Sequence, residues 1–501
     1  MSTDPTTSAS LAATSPTTTG AAAEPSLLDK VLEASRARDV EQKTYVTDLV
    51  GDFVEQILAG EMKISADTEE MLNQHIAAID QLLSDQLNAI LHHPDFQKLE
   101  ASWRGLHYLV MGTETSTTLQ IRVLNASKKD LLRDLERAKE FDMSTLFKKV
   151  YSSEYDVFGG SPYGALIGDY EFGKHPQDSA LLKRISQVAA AAHAPFIAAA
   201  SPEMFGKDSF TEIAAERDLA EIFRTRDYDK WNAFRDTEDS RYVGLCLPHV
   251  LMRLPYGQAT VPVDAFNFEE DVDGREHDKY LWGNAAYAMG LRITDAFAKY
   301  GWCASIRGVE GGGLVADLPV HTFVTDDGEV AAKCPTEVII TDRREYELAK
   351  LGFMALTHCK NTDYAAFFSA QSCQKPKEYD KDAATANARL SAQLPYILMT
   401  SRFAHYLKAI ARDKIGSLMS RKDVEMWLNN WINNYVSADD TASQETKRRY
   451  PLREARIDVE DDPRRPGCYR AIAYLRPHYQ LDELTVSMRL VSELPAPAQK
   501  K

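Results

Sequence analysis

His92–Val110, HHPDFQKLEASWRGLHYLV, decides how the rest of the chain is read. Pro94 stands where the first turn of a helix tolerates a missing N–H. Phe96, Leu99, Trp103, Leu106 and Val110 then follow at three- and four-residue spacing. Those five side chains make one apolar stripe. Gln97, Lys98 and Arg104 fall on the other side, with Glu100 and Arg104 four apart in the favourable acid-before-base order. A one-faced helix with an aromatic anchor docks onto something. Packing into its own domain is the commoner outcome, and a second subunit is the alternative.

Working outward toward the N-terminus, apolar pairs recur four apart, Tyr45/Val46, Leu49/Val50, Phe53/Val54 and Ile57/Leu58, until Gly60 stops them. A second helical pattern runs through Leu72, Ile76, Ile79, Leu83, Leu87 and Ile90. Eleven of the first twenty residues are Ser or Thr and no Lys or Arg precedes Lys30, so a flexible tail is expected there and not a secretory signal. The reading is a tail over 1–25 and a helical arm over 26–115.

Toward the C-terminus the period changes. Leu119–Leu124 alternates like a strand, and Ser127 and Asp130 are spaced like a capping box opening a charged helix. Further strands are expected at Ala165–Phe172, Pro195–Ala200, Tyr242–Leu247, Cys303–Gly308 and Glu337–Thr341, with helices at Ser179–Ala192 and Trp282–Tyr300. Such alternation predicts a mixed α/β region over 116–382 with a sheet at its centre. From Ala383 a helical stretch is interrupted by Pro395, and Lys422–Val436 supplies another helix. Alternating segments at Ala455–Glu460, Cys468–Leu475 and Leu484–Val491 then close an α+β domain over 383–495, followed by a short tail, 496–501. In the last segment Leu484, Val486, Met488 and Leu490 share one face. Terminal strands need partners, either within their own sheet or from another chain by strand addition.

The totals narrow the function. A chain of 501 residues exceeds a single core, which stops growing at roughly 250–300 residues, so two or three domains are expected. A net charge of −16 argues against nucleic acid as the main partner. Val188–Ala200, the longest weakly apolar run, falls short of the roughly 20 residues a membrane span needs, so a cytoplasmic protein without membrane insertion is expected. The six cysteines, Cys246, Cys303, Cys334, Cys359, Cys373 and Cys468, form no C-x-x-C and read as reduced thiols.

Catalytic chemistry is thin. Gly311–Gly313 resembles a phosphate cradle, yet lacks both the G-K-[ST] ending of a P-loop and the spacing of a dinucleotide turn. The alternative reading, a cytosolic enzyme holding a phosphorylated ligand there, rests on those glycines alone. Gly159-Gly160-Ser161-Pro162 is not a nucleophile elbow, because Pro162 would disturb the turn. Adjacent His92 and His93, near Asp95, suit a helix start better than a metal. Glu269-Glu270-Asp271 reads as a solvated run. Neither catalytic residues, nor a metal, nor a cofactor is expected.

The opening helix resembles the signature of the large subunit of the type VI secretion contractile sheath, the TssC or VipB family. Similar to that family are also GGSPYGALIGDYEF at 159–172, AAAHAPFIAAASP at 190–202, RYVGLCLPHVLMRLPYG at 241–257, YLWG at 280–283 and AHYLKAIARDKIG at 404–416. The run 451–495, with PLREA, LRPHYQLDEL and VSMRLVSELP, resembles it as well. His249 departs from the arginine expected there, which would weaken a local ion pair. The resemblance implies a structural subunit that pairs with a small subunit (TssB or VipA) and with neighbouring copies of itself. It implies a helical tube around an Hcp inner tube, set on a membrane-anchored baseplate in the bacterial cytosol, and disassembly of the contracted sheath by a ClpV-type AAA+ ATPase. Candidate interface residues are Phe96 and Trp103 on the helix, Arg224 and Arg226 in EIFRTRDYDKW, and Leu484, Val486, Met488 and Leu490 in the last strand.

Overall fold

The computed structural model describes residues 40–58, 68–325, 327–417, 419–439, 441–461 and 469–480. The chain divides into two compact units, 1–83 and 84–501. In the first, the described residues are helix α1 (Val40–Leu58) and most of α2 (Thr68–Leu91), which continues into the second unit. Tyr45, Leu49, Ile76, Ile79 and Leu82 are exposed on them.

The second unit opens with α3 (Pro94–Gly112). His93 caps it, its Nδ1 accepting from the Asp95 N–H at 3.2 Å, and Pro94 takes the first turn. This settles the two histidines as helix-start residues. After it, Leu119–Leu124 forms neither helix nor strand among the described residues. The capping box at Ser127 and Asp130 is formed and opens α4 (Lys128–Arg137).

The core is a six-stranded sheet of β1 (Leu166–Phe172), β2 (Phe196–Ala200), β3 (Val243–Leu247), β4 (Leu314–Val315), β5 (Phe353–His358) and β6 (Ala365–Phe367), in the order β1-β2-β3-β5-β6-β4. β1, β2, β3 and β5 run parallel, and β6 and β4 extend the sheet antiparallel. Both faces are covered. Phe196, Ala198, Leu245 and Phe353 meet Leu181, Leu182 and Ile185 of α5 (Pro176–Ala192) and Trp231 and Phe234 of α6 (Asp229–Arg235). Ile197, Cys246, Met354 and Leu356 meet Ala286, Met289 and Ile293 of α7 (Ala286–Tyr300). The mixed α/β class is therefore present, with the parallel sheet buried on both sides as crossover helices require.

Two expected strands are absent. Cys303–Gly308 and Glu337–Thr341 form none, while β5 and β6 take their place in the sheet. The helix expected from Trp282 begins at Ala286, because Trp282–Gly283 pairs instead with Val250–Leu251.

After α8 (Asp342–Lys350) and β6, α9 (Asp382–Ser391) ends two residues before α10 (Leu394–Asp413), and Pro395 occupies the first turn of α10. Proline thus splits the stretch where its missing N–H costs nothing. α11 (Arg421–Asn433), capped by a Ser420–Asp423 box, packs on the hairpin β7 (Leu452–Asp461) and β8 (Tyr469–Pro477). Trp302, Phe403, Leu428, Ile432, Ile457 and Val459 form the core between them. Leu484–Val491 lies outside the described residues.

Candidate functional site

α3 packs by the face opposite its aromatic stripe. Gly105 and Leu109 are the buried residues of the helix, and a Cβ at Gly105 would stand 2.3 Å from the Tyr287 ring of α7. At Gly112 it would stand 2.9 Å from Leu291. Only a glycine-bearing face lets the two helices approach this closely. Trp103 is consequently 65% exposed and Leu99 55%, with Phe96, Val110 and Met111 exposed beside them. Of the stripe only Leu106 is partly buried, against Leu109, Tyr287 and Leu291, so the expectation that the stripe enters its own core fails for the other four residues. The isolated glycine within the helical pattern was the available signal.

A charged cluster fixes that orientation. Glu100 of α3 accepts from Arg104 Nε at 2.7 Å and from Arg253 Nε at 2.8 Å. Arg253 also grips Glu270 with both terminal nitrogens, at 2.6 and 3.0 Å. Glu270 further accepts from the Tyr256 N–H at 2.8 Å and lies 3.3 Å from His92 Nε2. Arg104 donates to Tyr256 Oη at 2.9 Å, and Gln97 donates to the Asp278 carbonyl at 2.9 Å. The side chain of Glu270 is 1% exposed, so this member of the acidic run is buried, while Glu269 and Asp271 on either side are exposed as the composition suggested. Nothing local in the sequence marks Glu270, because its partners lie 14, 17 and 178 residues away.

A second cluster centres on His249. Its Nε2 pairs with Glu171 at 3.0 Å and its Nδ1 with Glu337, which also accepts from Ser209 Oγ at 2.9 Å and the Phe210 N–H at 3.2 Å. Burial alone would depress the imidazole, but hydrogen bonds with the two carboxylates raise its pKa to about 10. Burial likewise opposes ionisation of Glu337, yet His249 and its other donors hold it well below the usual carboxylate range. The histidine that stands where arginine was expected keeps ion pairs on both of its nitrogens instead of losing one.

The other candidates stand apart. Arg224 and Arg226 are exposed, Arg224 paired with Glu221 three residues earlier. Leu484, Val486, Met488 and Leu490 fall outside the described residues. Gly311–Gly313 is no cradle: a Cβ at Gly312 (φ +91°) would meet the Ser305 carbonyl at 2.3 Å, and one at Gly313 the Phe367 carbonyl at 2.6 Å. Gly312 and Gly313 serve close backbone packing, whereas a Cβ at Gly311 would meet nothing. Gly160 is similarly pressed on the Glu154 carbonyl, at 2.2 Å from its would-be Cβ. Among the described residues no group of His, Cys, Asp and Glu could hold a metal, and no helix is long and apolar enough to cross a membrane.

The hairpin offers two unequal edges. Asn429 of α11 donates to the Ile457 carbonyl at 2.7 Å and accepts from the Ile457 N–H at 2.9 Å, and Glu425 accepts from the Val459 N–H at 3.2 Å. Leu452 bridges to Val436. β7 is thus held on its outer side at Leu452, Ile457 and Val459, and β8 pairs with β7 alone among the described strands.

The chain is similar along most of its length to known proteins. Residues 73–374 match the VipB model, an EvpB-type tail sheath N-terminal domain, and residues 383–494 match a tail sheath gpW/gp25-like domain. The type VI secretion system sheath protein TssC1 of Pseudomonas aeruginosa is 52% identical over 467 residues, 93% of each chain. Two solved structures from the anti-feeding prophage align loosely. Its baseplate gives a TM-score of 0.38 at 9% identity, covering 75% of this chain and 83% of that one. Its contracted helical sheath gives 0.30 at 10%, covering 61% and 66%. By these matches the chain belongs to the VipB family of type VI secretion sheath proteins and is a structural subunit of a contractile sheath, not an enzyme.

Proposed function

We propose that this subunit pairs with the small sheath subunit, TssB or VipA, through the arm of residues 26–115, with Phe96, Leu99 and Trp103 of α3 as the anchoring contacts. The observation that carries this reading is the outward stripe of α3, locked in place by Arg253, Glu270 and Glu100 while the opposite face is spent on α7. Monomers seldom leave a contiguous row of large apolar side chains in water. The heterodimers stack into a helical tube around Hcp in the cytoplasm, seated on a baseplate, and a ClpV-type ATPase dismantles the contracted form.

The division into a central region, 116–382, and a sheath-core domain, 383–495, is supported by the separate matches ending at 374 and starting at 383. Within the second, the free side of β8 suits strand addition, and Leu484–Val491 is the segment offered to a neighbour. Arg224 and Arg226 are contacts between adjacent sheath strands, a role their exposure supports.

Co-expression with the small sheath subunit and negative-stain electron microscopy tests the reading. Tubes are expected from the full chain, and heterodimers without tubes from a chain lacking Leu484–Val491. Tubes of normal length from the deleted chain would refute strand addition, and absence of any complex with the small subunit would refute the pairing.

A further inference from the structure

Gln480 makes three hydrogen bonds, to two separate parts of the fold. Its Oε1 accepts from Arg307 Nε at 2.6 Å, its Nε2 donates to the Ala304 carbonyl at 2.7 Å, and its backbone N–H donates to Tyr396 Oη at 3.1 Å. Two residues earlier the His478 N–H donates to the Pro451 carbonyl at 3.1 Å. The receiving groups are firmly held. Arg307 is 8% and Tyr396 6% exposed, and the loop carrying Arg307 is fastened to β6 by the Gly308 N–H on the Phe367 carbonyl at 2.7 Å. Tyr396 belongs to the first turn of α10. The chain therefore leaves the exposed strand β8 and is pinned again, at once, to both the central sheet region and α10.

We propose that Gln480 is a positioning anchor for the C-terminal segment: pull on residues 481–495 passes into the seam between the sheet and α10 and not into the hairpin. The reason is mechanical. A ladder pulled from its end opens one bond at a time, whereas three bonds at one residue resist together. Placed ahead of β8 on the line of pull, the anchor keeps a neighbour's load from unzipping β8 from β7. The role under tension rests on the sheath reading above, while the anchor itself does not.

The test uses the full chain with the small sheath subunit, comparing Gln480→Ala and Tyr396→Phe with the parent. Losing the two side-chain bonds, one of them to a guanidinium, is expected to speed hydrogen exchange around residues 478–480 by about tenfold or more. Heterodimer yield stays unchanged and tubes become shorter and fewer. Tyr396→Phe, which keeps its ring, gives the same change in smaller measure. Unchanged exchange in Gln480→Ala overturns the anchor; faster exchange with tubes of parental length overturns its role under tension. If the parent forms no tubes, the sheath reading fails while the exchange comparison still decides the anchor.

Discussion

Trp103→Ala separates binding from folding. An indole buries on the order of 200 Å² when covered, and Trp103 is 65% exposed, so a partner has roughly 130 Å² of it left to cover. At about 25 cal/mol per Å² that area is worth about 3 kcal/mol, a loosening of roughly 150-fold. The chain's own fold gains little from this side chain, and a change within about 0.5 kcal/mol is expected there. Leu109 on the opposite face behaves inversely. It is 6% exposed against Tyr287 and Leu291, and Leu109→Ala is expected to cost about 2–5 kcal/mol of stability. Isothermal titration against the purified small sheath subunit, alongside thermal melts of each variant, reads both quantities. The reasoning is refuted if Trp103→Ala binds within threefold of the parent, or lowers the melting midpoint as far as Leu109→Ala does.

Arg253→Met takes the guanidinium from Glu270, whose side chain is 1% exposed and keeps only His92 and the Tyr256 N–H, and removes one of two partners of Glu100. A loss of about 3–5 kcal/mol is expected in urea unfolding, and adding Glu270→Gln should recover at least about 2 kcal/mol; additive losses would show the two do not act as a pair. His249 makes stability depend on pH. With a pKa near 10 in the fold against 6.5 when free, its contribution is complete below pH 6.5 and is lost as the pH rises toward 10. The lowered Glu337 works the other way, contributing fully above 4.5 and losing that contribution as the pH falls. Unfolding measured from pH 6.5 to 9.5 should therefore fall by up to about 1.4 kcal/mol per unit in the parent and flatten in His249→Gln; equal slopes would remove His249 as the cause.

Periodicity made the helices legible, and with them β1, β2 and β3, which lie in runs long enough to register. It missed β5, FMALTH, because a parallel strand buried on both faces has no reason to alternate, and a threonine and a histidine at its end disguise it. Leu119–Leu124 alternates and still forms no strand: Ile121 packs against Leu109, Tyr287 and Leu291, but among the described residues the segment has no backbone partner strand. For α3 the helix was readable but its direction was not. An aromatic stripe looks like a core, whereas burial here goes to the face with Gly105, where close approach to Tyr287 outweighs the area that Trp103 would hide. Arg253, Glu270 and Glu100 could not be joined from sequence, because ion pairs across 17 and 153 residues leave no local pattern.

The closure of β7 by Asn429 and Glu425 has a stoichiometric meaning. A bare two-stranded ribbon presents two equivalent sides, and copies of it can join in either sense or branch. Here the β7 side is occupied at Ile457 and Val459 by side chains of the same chain, and among the described residues β8 has no second strand beside it. Under the proposed strand addition, an incoming strand would meet the β8 side of the hairpin and not the side held by α11, which would give growth one direction and disfavour side-by-side clumping of hairpins.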